Sequence, residues 1–166
     1  MTPGVATVRR AGPADVGEMS RVLIASITEL CHADHKGDAE AIAAWTRNKT
    51  PEGVMAMLEA PANRMFVAER DGAVAAVGCV VGDDEIGLNY IDPAQRFMGV
   101  SRALLGAMED AMREAGATEG RLKSTTTAHR FYLDAGWSDV GALYTGRFIE
   151  AWPMRKALVQ AISAPA

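Results

Sequence analysis

Ile91-Asp92-Pro93-Ala94-Gln95-Arg96-Phe97-Met98-Gly99-Val100-Ser101-Arg102-Ala103-Leu104-Leu105 is the stretch that organises the rest of the sequence. It opens as the end of an apolar extended run, stopped at Asp92-Pro93 because proline has no N–H to give to a strand ladder. It closes inside a helix. Val100, Ala103, Leu104, Ala107, Met108, Ala111, Met112 and Ala115 recur at three- and four-residue steps, and Gly116 supplies the stop. A tight loop from strand to helix aims the first, unpaired helical N–H groups outward with the helix dipole behind them. Such a site holds an anion and suits a pyrophosphate. Gly99 lets the backbone approach the phosphates, and the small Ser101 leaves them room. An ordinary strand-to-helix turn would need the glycine only for its φ angle.

Before this stretch the period is that of strands. Residues 65–69 and Ala73–Val81 flank the hairpin turn Asp71-Gly72, and Gly82-Asp83-Asp84 turns the chain into a third strand over 86–91. The three predict an antiparallel meander. Nearer the N-terminus, Thr7–Arg10 is a short β-type run broken by Ala11-Gly12-Pro13, and Asp15 followed by Glu18 reads as a capping-box variant. Val16, Met19, Leu23, Ile27 and Leu30 then mark one face of an amphipathic helix. A polar break over 34–38 precedes a helical stretch with Ile42 and Trp45. Thr50-Pro51 opens another, with Val54 and Leu58 inside. After the long helix, residues 121–124 read as a strand and 127–135 as a short helix closed by Gly136. A final β region runs from Trp137 through Phe148 to Met154. The order β-αα-βββ-α-β-α-β-β predicts an α/β protein with a mixed sheet, parallel where the long helix crosses over.

The length of 166 residues and the 49% hydrophobic content predict one domain over 1–166 with one sizeable core and a frayed Ala/Pro tail at 163–166. A net charge of -4 leaves no basic face for a phosphate backbone, so no nucleic-acid partner is expected. No apolar run approaches the roughly 20 residues of a membrane span, and the N-terminal stretch has no signal-peptide core. A cytoplasmic protein without a membrane partner is expected. Cys31 and Cys79 sit in apolar settings without metal-ligand spacing and read as reduced core thiols.

The stretch resembles motif A of the GNAT superfamily, V-x-P-x-x-[QR]-x-x-G-x-[GA], with Ile91, Pro93, Arg96, Gly99 and Ser101 in register. T-T-T-A-H-R-F-Y-L-D-A-G-W at 125–137 is similar to motif B, N-x-x-A-x-x-[LF]-Y-x-x-x-G-[FW], through Ala128, Phe131, Tyr132, Gly136 and Trp137. The element order fits the same fold over nearly the whole chain. The resemblance implies an N-acetyltransferase that passes the acetyl group of acetyl-CoA directly to an amine without a metal. Carried over, the co-substrate contacts fall on Asn89, Ile91, Asp92, Arg96, Phe97, Met98, Gly99, Val100, Ser101, Arg102, Thr125, Ala128, Phe131 and Tyr132. Tyr132 is implied as the general acid for the leaving thiolate. A backbone N–H at Ile91 or its neighbour, where the strand splays, would stabilise the oxyanion. Three residues depart from the pattern: Ser101 replaces glycine or alanine, Phe97 a frequent glycine, and Thr125 an asparagine.

Glu85, Glu29, His32 and His35 are the candidate bases, each with a competing reading as a solvated group. His32 and His35 lack a third ligand at metal spacing. Trp45 and Trp152 are core residues or lining of an acceptor pocket. A small-molecule or peptide amine is expected as the acceptor, and a monomer or homodimer as the state of the protein. A non-catalytic acyl-CoA sensor on the same fold and a plain interaction domain are the alternatives.

Overall fold

In the computed structural model, which describes residues 4–146 and 149–159, the apolar periods of the sequence become six α-helices and eight strands. The first helix, α1 (Val16–Leu30), buries Val16, Met19, Val22, Leu23 and Ile27 on one face. Its start departs from the expected capping box. The Asp15 carboxylate accepts the Gly12 N–H at 2.8 Å and pairs with Arg9, while Glu18 pairs with Arg21. The polar break expected over 34–38 is also partly helical, because His35 ties a single turn, α2 (His32–His35), back onto α1. Helices α3 (Ala39–Thr46) and α4 (Pro51–Glu59) begin at Asp38 and Thr50, whose side chains accept the N–H of Glu40 and Gly53.

Strands β1 (Thr7–Arg10), β2 (Asn63–Arg70), β3 (Ala73–Val81) and β4 (Glu85–Ile91) pair antiparallel in sequence order. Helix α5 (Val100–Glu114) then carries the chain over to β5 (Glu119–Ser124), parallel to β4, and α6 (Thr126–Asp134) follows. The final β region is three pieces: β6 (Ser138–Asp139), β7 (Tyr144–Thr145) and β8 (Glu150–Ala157). The longest of them, β8, lies between β5 and β6. Phe148 and the tail at 163–166 lie outside the described residues.

Helices cover both faces of the sheet. Leu104, Leu105, Met108 and Met112 of α5 pack with Ala76, Val80, Ile86 and Leu122 on one side. On the other, Met19, Val22 and Leu23 of α1 and Val54 of α4 pack with Met65, Val67, Val77 and Cys79. Each fully buried side chain of this size contributes about 1.5–3 kcal/mol. Gly78 allows the close approach of α5, since a Cβ there would lie 2.7 Å from the Met108 sulfur. Among the described residues no helix is long and apolar enough to cross a membrane.

One irregularity interrupts the middle of the sheet. Cys79 pairs with Leu88 and Val80 with Ile86, so Gly87 is an extra residue in β4, and a Cβ there would lie 2.7 Å from Val81 Cγ2. The bulge reverses the alternation of β4. Ile86 packs on the α5 side while Leu88 packs on the α1 side, and Ile91 returns to the α5 side. The ladder from β4 to β5 holds only Glu85–Arg121 and Ile86–Leu122; beyond them the two strands part.

Candidate active site

The parting of β4 and β5 opens a cleft of about 400 Å³ between α5 and α6, within the size range of small-molecule sites. The Asp92 N–H donates to Ala75 O at 2.8 Å. Ladder hydrogen bonds to one neighbour come at every second residue, so Tyr90 and Leu88 also turn their backbone groups toward β3. Ile91 and Asn89 turn theirs the other way, into the gap β5 has left.

At one end of the cleft lies the loop before α5. Gly99 at φ 78 caps the helix, and Phe97 at φ 64 is also left-handed, a conformation costing a non-glycine residue roughly 1–2 kcal/mol. Ala103 is the first residue of α5 whose N–H reaches back along the helix, to Gly99 O at 3.1 Å. The N–H groups of Val100, Ser101 and Arg102 therefore have no helical acceptor. Open space surrounds the position a Cβ of Gly99 would take, so glycine serves its φ there. The loop is anchored from behind. The Asp92 carboxylate accepts Ala94 N–H at 3.0 Å and an Arg21 N–H at 3.1 Å, and the buried Arg70 donates to Gln95 Oε1 at 2.8 Å. The Arg96 guanidinium lies 4.7 Å from the centre of the exposed Phe97 ring.

The opposite wall is α6. Thr125 caps it by accepting Ala128 N–H at 3.0 Å. Its next two N–H groups go to a residue far away in sequence: Thr126 donates to Asp34 Oδ1 at 2.7 Å and Thr127 to Oδ2 at 3.1 Å, with the Thr127 hydroxyl also on Oδ2. Asp34 thereby straps α2 to α6. Tyr132 is buried edge-on against Phe131 and Trp137. Its hydroxyl oxygen accepts Asn89 Nδ2–H at 2.9 Å across the gap. Burial pushes the phenol up to about 12, partly offset by the Asn89 bond. Because Asn89 donates, the phenol keeps its own proton for another acceptor.

Of the residues expected to touch the co-substrate, Asn89, Ile91, Arg96, Phe97, Gly99, Val100, Ser101, Arg102, Thr125, Ala128, Phe131 and Tyr132 line this cleft. Asp92 and Met98 do not: Asp92 anchors the loop, and Met98 lines a neighbouring hollow with Gly4, Val5, Ala6 and Arg70. None of the candidate bases lines it either. Glu85 pairs with Arg121 at 3.6 Å, and Glu29 and His32 are exposed. His35 is buried with both ring nitrogens engaged, Nδ1 accepting Gly37 N–H at 3.0 Å and Nε2 against Ile27 O at 2.9 Å. Both contacts give His35 a structural role in closing the α2 turn. Trp45 is core, edge-on to Tyr90, while Trp152 stacks on His129 at 4.1 Å and donates to Thr126. Neither tryptophan lines the cleft.

Sequence reasoning placed Cys31 in the core, and it is buried, yet it also lines the cleft with Ser26, Leu30 and Tyr90. Burial, with Asp34 nearby, pushes its thiol up to about 12. A thiol so fully protonated is a poor covalent nucleophile. Asp34 and the cleft-lining Lys123 were also missed. Strand alternation around Lys123 held a signal, whereas nothing in the sequence linked Asp34 to α6.

Residues 31–158 match the family model described as an acetyltransferase (GNAT) domain. A comparison with curated proteins finds no match. Solved structures share the fold. A GCN5-related N-acetyltransferase from Rhodopseudomonas palustris superposes with a TM-score of 0.83 at 20% identity, covering 95% of this chain and 98% of that one. PaiA N-acetyltransferase from Thermoplasma acidophilum, in complex with coenzyme A, gives 0.76 at 17% identity over 92% and 98%. An aminoglycoside 6'-N-acetyltransferase complexed with coenzyme A gives 0.68 at 13% identity over 95% and 99%.

Proposed function

We propose, from the premise that this chain belongs to the GNAT acetyltransferase family, that it transfers the acetyl group of acetyl-CoA directly to a primary amine. The observation that carries this reading is the pairing of two devices in one cleft. Outward-facing N–H groups at the start of α5 lie at one end, and a protonated Tyr132 beside the gap-facing N–H of Ile91 at the other. The donor set suits the co-substrate. Val100, Ser101 and Arg102 offer N–H groups to a pyrophosphate, flanked by the cations of Arg96 and Arg102. Two solved relatives of the same fold hold coenzyme A.

The chemistry follows from the positions. The amine nitrogen attacks the thioester carbonyl carbon, and the Ile91 N–H meets the oxygen as it gains charge. As the tetrahedral adduct collapses, the C–S bond breaks and sulfur leaves with its electron pair. The thiolate takes a proton from the Tyr132 phenol, and the proton shed by the amine returns to the phenoxide through water. The products are an amide and a free thiol. The buried, protonated Cys31 fits direct transfer without an acyl-cysteine intermediate.

β1 and β8 belong to one sheet, which supports a single working domain, and the buried free thiols suit a reducing compartment such as the cytoplasm. Free thiol and acetylated amine are to be measured together, with acetyl-CoA and a panel of amines. Amine-dependent thiol release supports transfer. Acetyl-CoA binding without it would identify a sensor, and no binding at all an interaction domain.

A further inference from the structure

The charged residues lining the cleft are Arg96, Arg102 and Lys123, all positive, and no carboxylate is among the described lining residues. Arg96 and Arg102 flank the N-terminus of α5, where phosphates would account for their charge. Lys123 lies apart from that N-terminus, exposed at the rim of the cleft. It sits on β5 one residue past the last pair with β4, between the buried Leu122 and Ser124. Leu122 packs on the α5 and α6 side of the sheet. Strand alternation therefore turns Lys123 to the opposite side, where Ser26 and Leu30 of α1 and the following Cys31 form the far lip of the cleft. Its ammonium nitrogen lies 6.0 Å from the Tyr144 ring centre, and among the described residues no carboxylate pairs with it.

Three acids of the surrounding elements are already engaged. Asp34 accepts three hydrogen bonds from the start of α6, Glu85 pairs with Arg121, and Asp139 lies 2.7 Å from His129. The lip offers a cation a neutral wall and a like charge. A second ammonium on the acceptor would lose water there without gaining a partner, while a carboxylate would gain one.

We infer that the acceptor is a small amine that also carries a carboxylate, bound through Lys123, and that polyamines and other polycations are excluded. The inference rests on the acetyl transfer proposed for this cleft and names the acceptor class of that site.

The test compares amino acids with their decarboxylated amines (phenylalanine with phenethylamine, alanine with ethylamine), alongside putrescine and spermidine. Wild-type protein should favour the carboxylate member by about 10- to 100-fold in kcat/KM, the range of a charge-assisted hydrogen bond. Lys123→Gln should erase that preference by raising the acceptor KM while the KM for acetyl-CoA stays put. Lys123→Glu should bring up putrescine. Wild-type turnover of putrescine, spermidine or the carboxylate-free monoamines matching the best amino acid would overturn the inference, as would a preference that survives Lys123→Gln. Calorimetry with acetyl-CoA alone separates the two readings: no binding there removes the transfer reading and this inference with it. Binding together with turnover of the wrong amines removes only the inference.

Discussion

Asn89 gives a hydrogen bond to the Tyr132 oxygen at 2.9 Å, and burial pushes the phenol up to about 12 from its ordinary value near 10. Both effects leave the proton on the phenol, available to the leaving sulfur in the transfer proposed above. Replacing Tyr132 with phenylalanine keeps the ring packed against Phe131 and Trp137 and removes the hydroxyl, both its proton and the oxygen that accepts the Asn89 bond. We expect kcat to fall about 10²- to 10⁴-fold, with little change in the KM for acetyl-CoA, because the proton matters chiefly as charge develops on sulfur. A phenylalanine variant with wild-type kcat would show that water supplies the proton. The pH profile carries the same claim. A general acid fails when it ionises, so the wild-type kcat should show no alkaline fall due to Tyr132 up to about pH 11. A fall near pH 9 that disappears in Tyr132→Phe would contradict the assignment. At this scale the sequence singled out Tyr132, Gly99 and Ser101 from local motifs, and all three line the cleft. It did not foresee the burial of His35, whose two ring nitrogens are engaged by the turn it closes.

The helix starts turn single residues into a site. Ser101 lies in the first turn of α5, where a carboxylate has opposite effects on helix and ligand. Ser101→Glu places negative charge at the positive end of the helix dipole, which favours the fold by a few tenths of a kcal/mol or more. The same charge repels phosphates and occupies their space. Calorimetry should show lost CoA affinity while the melting temperature holds or rises; unchanged affinity would remove the loop from the account. α6 begins differently, with Thr125 as cap and Asp34 on the next two N–H groups. Asp34→Ala leaves these donors without their acceptor and should cost about 0.5–2 kcal/mol, the usual worth of a lost cap. Because α6 carries Tyr132, kcat should drop several-fold as well, and Asp34→Asn should recover part of both. An alanine variant that loses stability but keeps kcat would make the strap purely structural. Helix faces and caps were legible because their residues lie within a few positions of one another. The strap joins residues 92 and 93 apart, a contact no local period encodes.

The cleft belongs to the molecule as a whole, since it exists only where β4 and β5 stop pairing after two residues. The crossover of α5 made their parallel relation legible in the sequence. The bulge at Gly87 and the placing of β8 between β5 and β6 were not, because both are settled by partners in other strands. Among the described residues, the same global packing holds the protons of two thiols and two phenols more tightly than water does. Burial pushes the thiols of Cys31 and Cys79 up to about 12 and about 11, Tyr132 up to about 12, and Tyr90 higher still. In the unfolded chain thiols titrate near 8.5 and phenols near 10. Over that interval the folded state binds more protons than the unfolded state, so stability must fall as pH rises. The contribution of these groups is fully present below the unfolded values and is lost as pH climbs toward the folded ones. Melting temperature in reducing buffer should therefore be level between about pH 6 and 8 with respect to these groups and decline from about pH 9. Replacing both cysteines with alanine lowers the melting temperature at pH 7 by opening small cavities. It also removes the earlier titration, so the thiol-driven part of the decline should vanish and the fall should begin near pH 10, where the phenols of Tyr90 and Tyr132 titrate in the unfolded chain. An onset that stays at pH 9 in the double variant would mean that the thiols do not carry the alkaline instability.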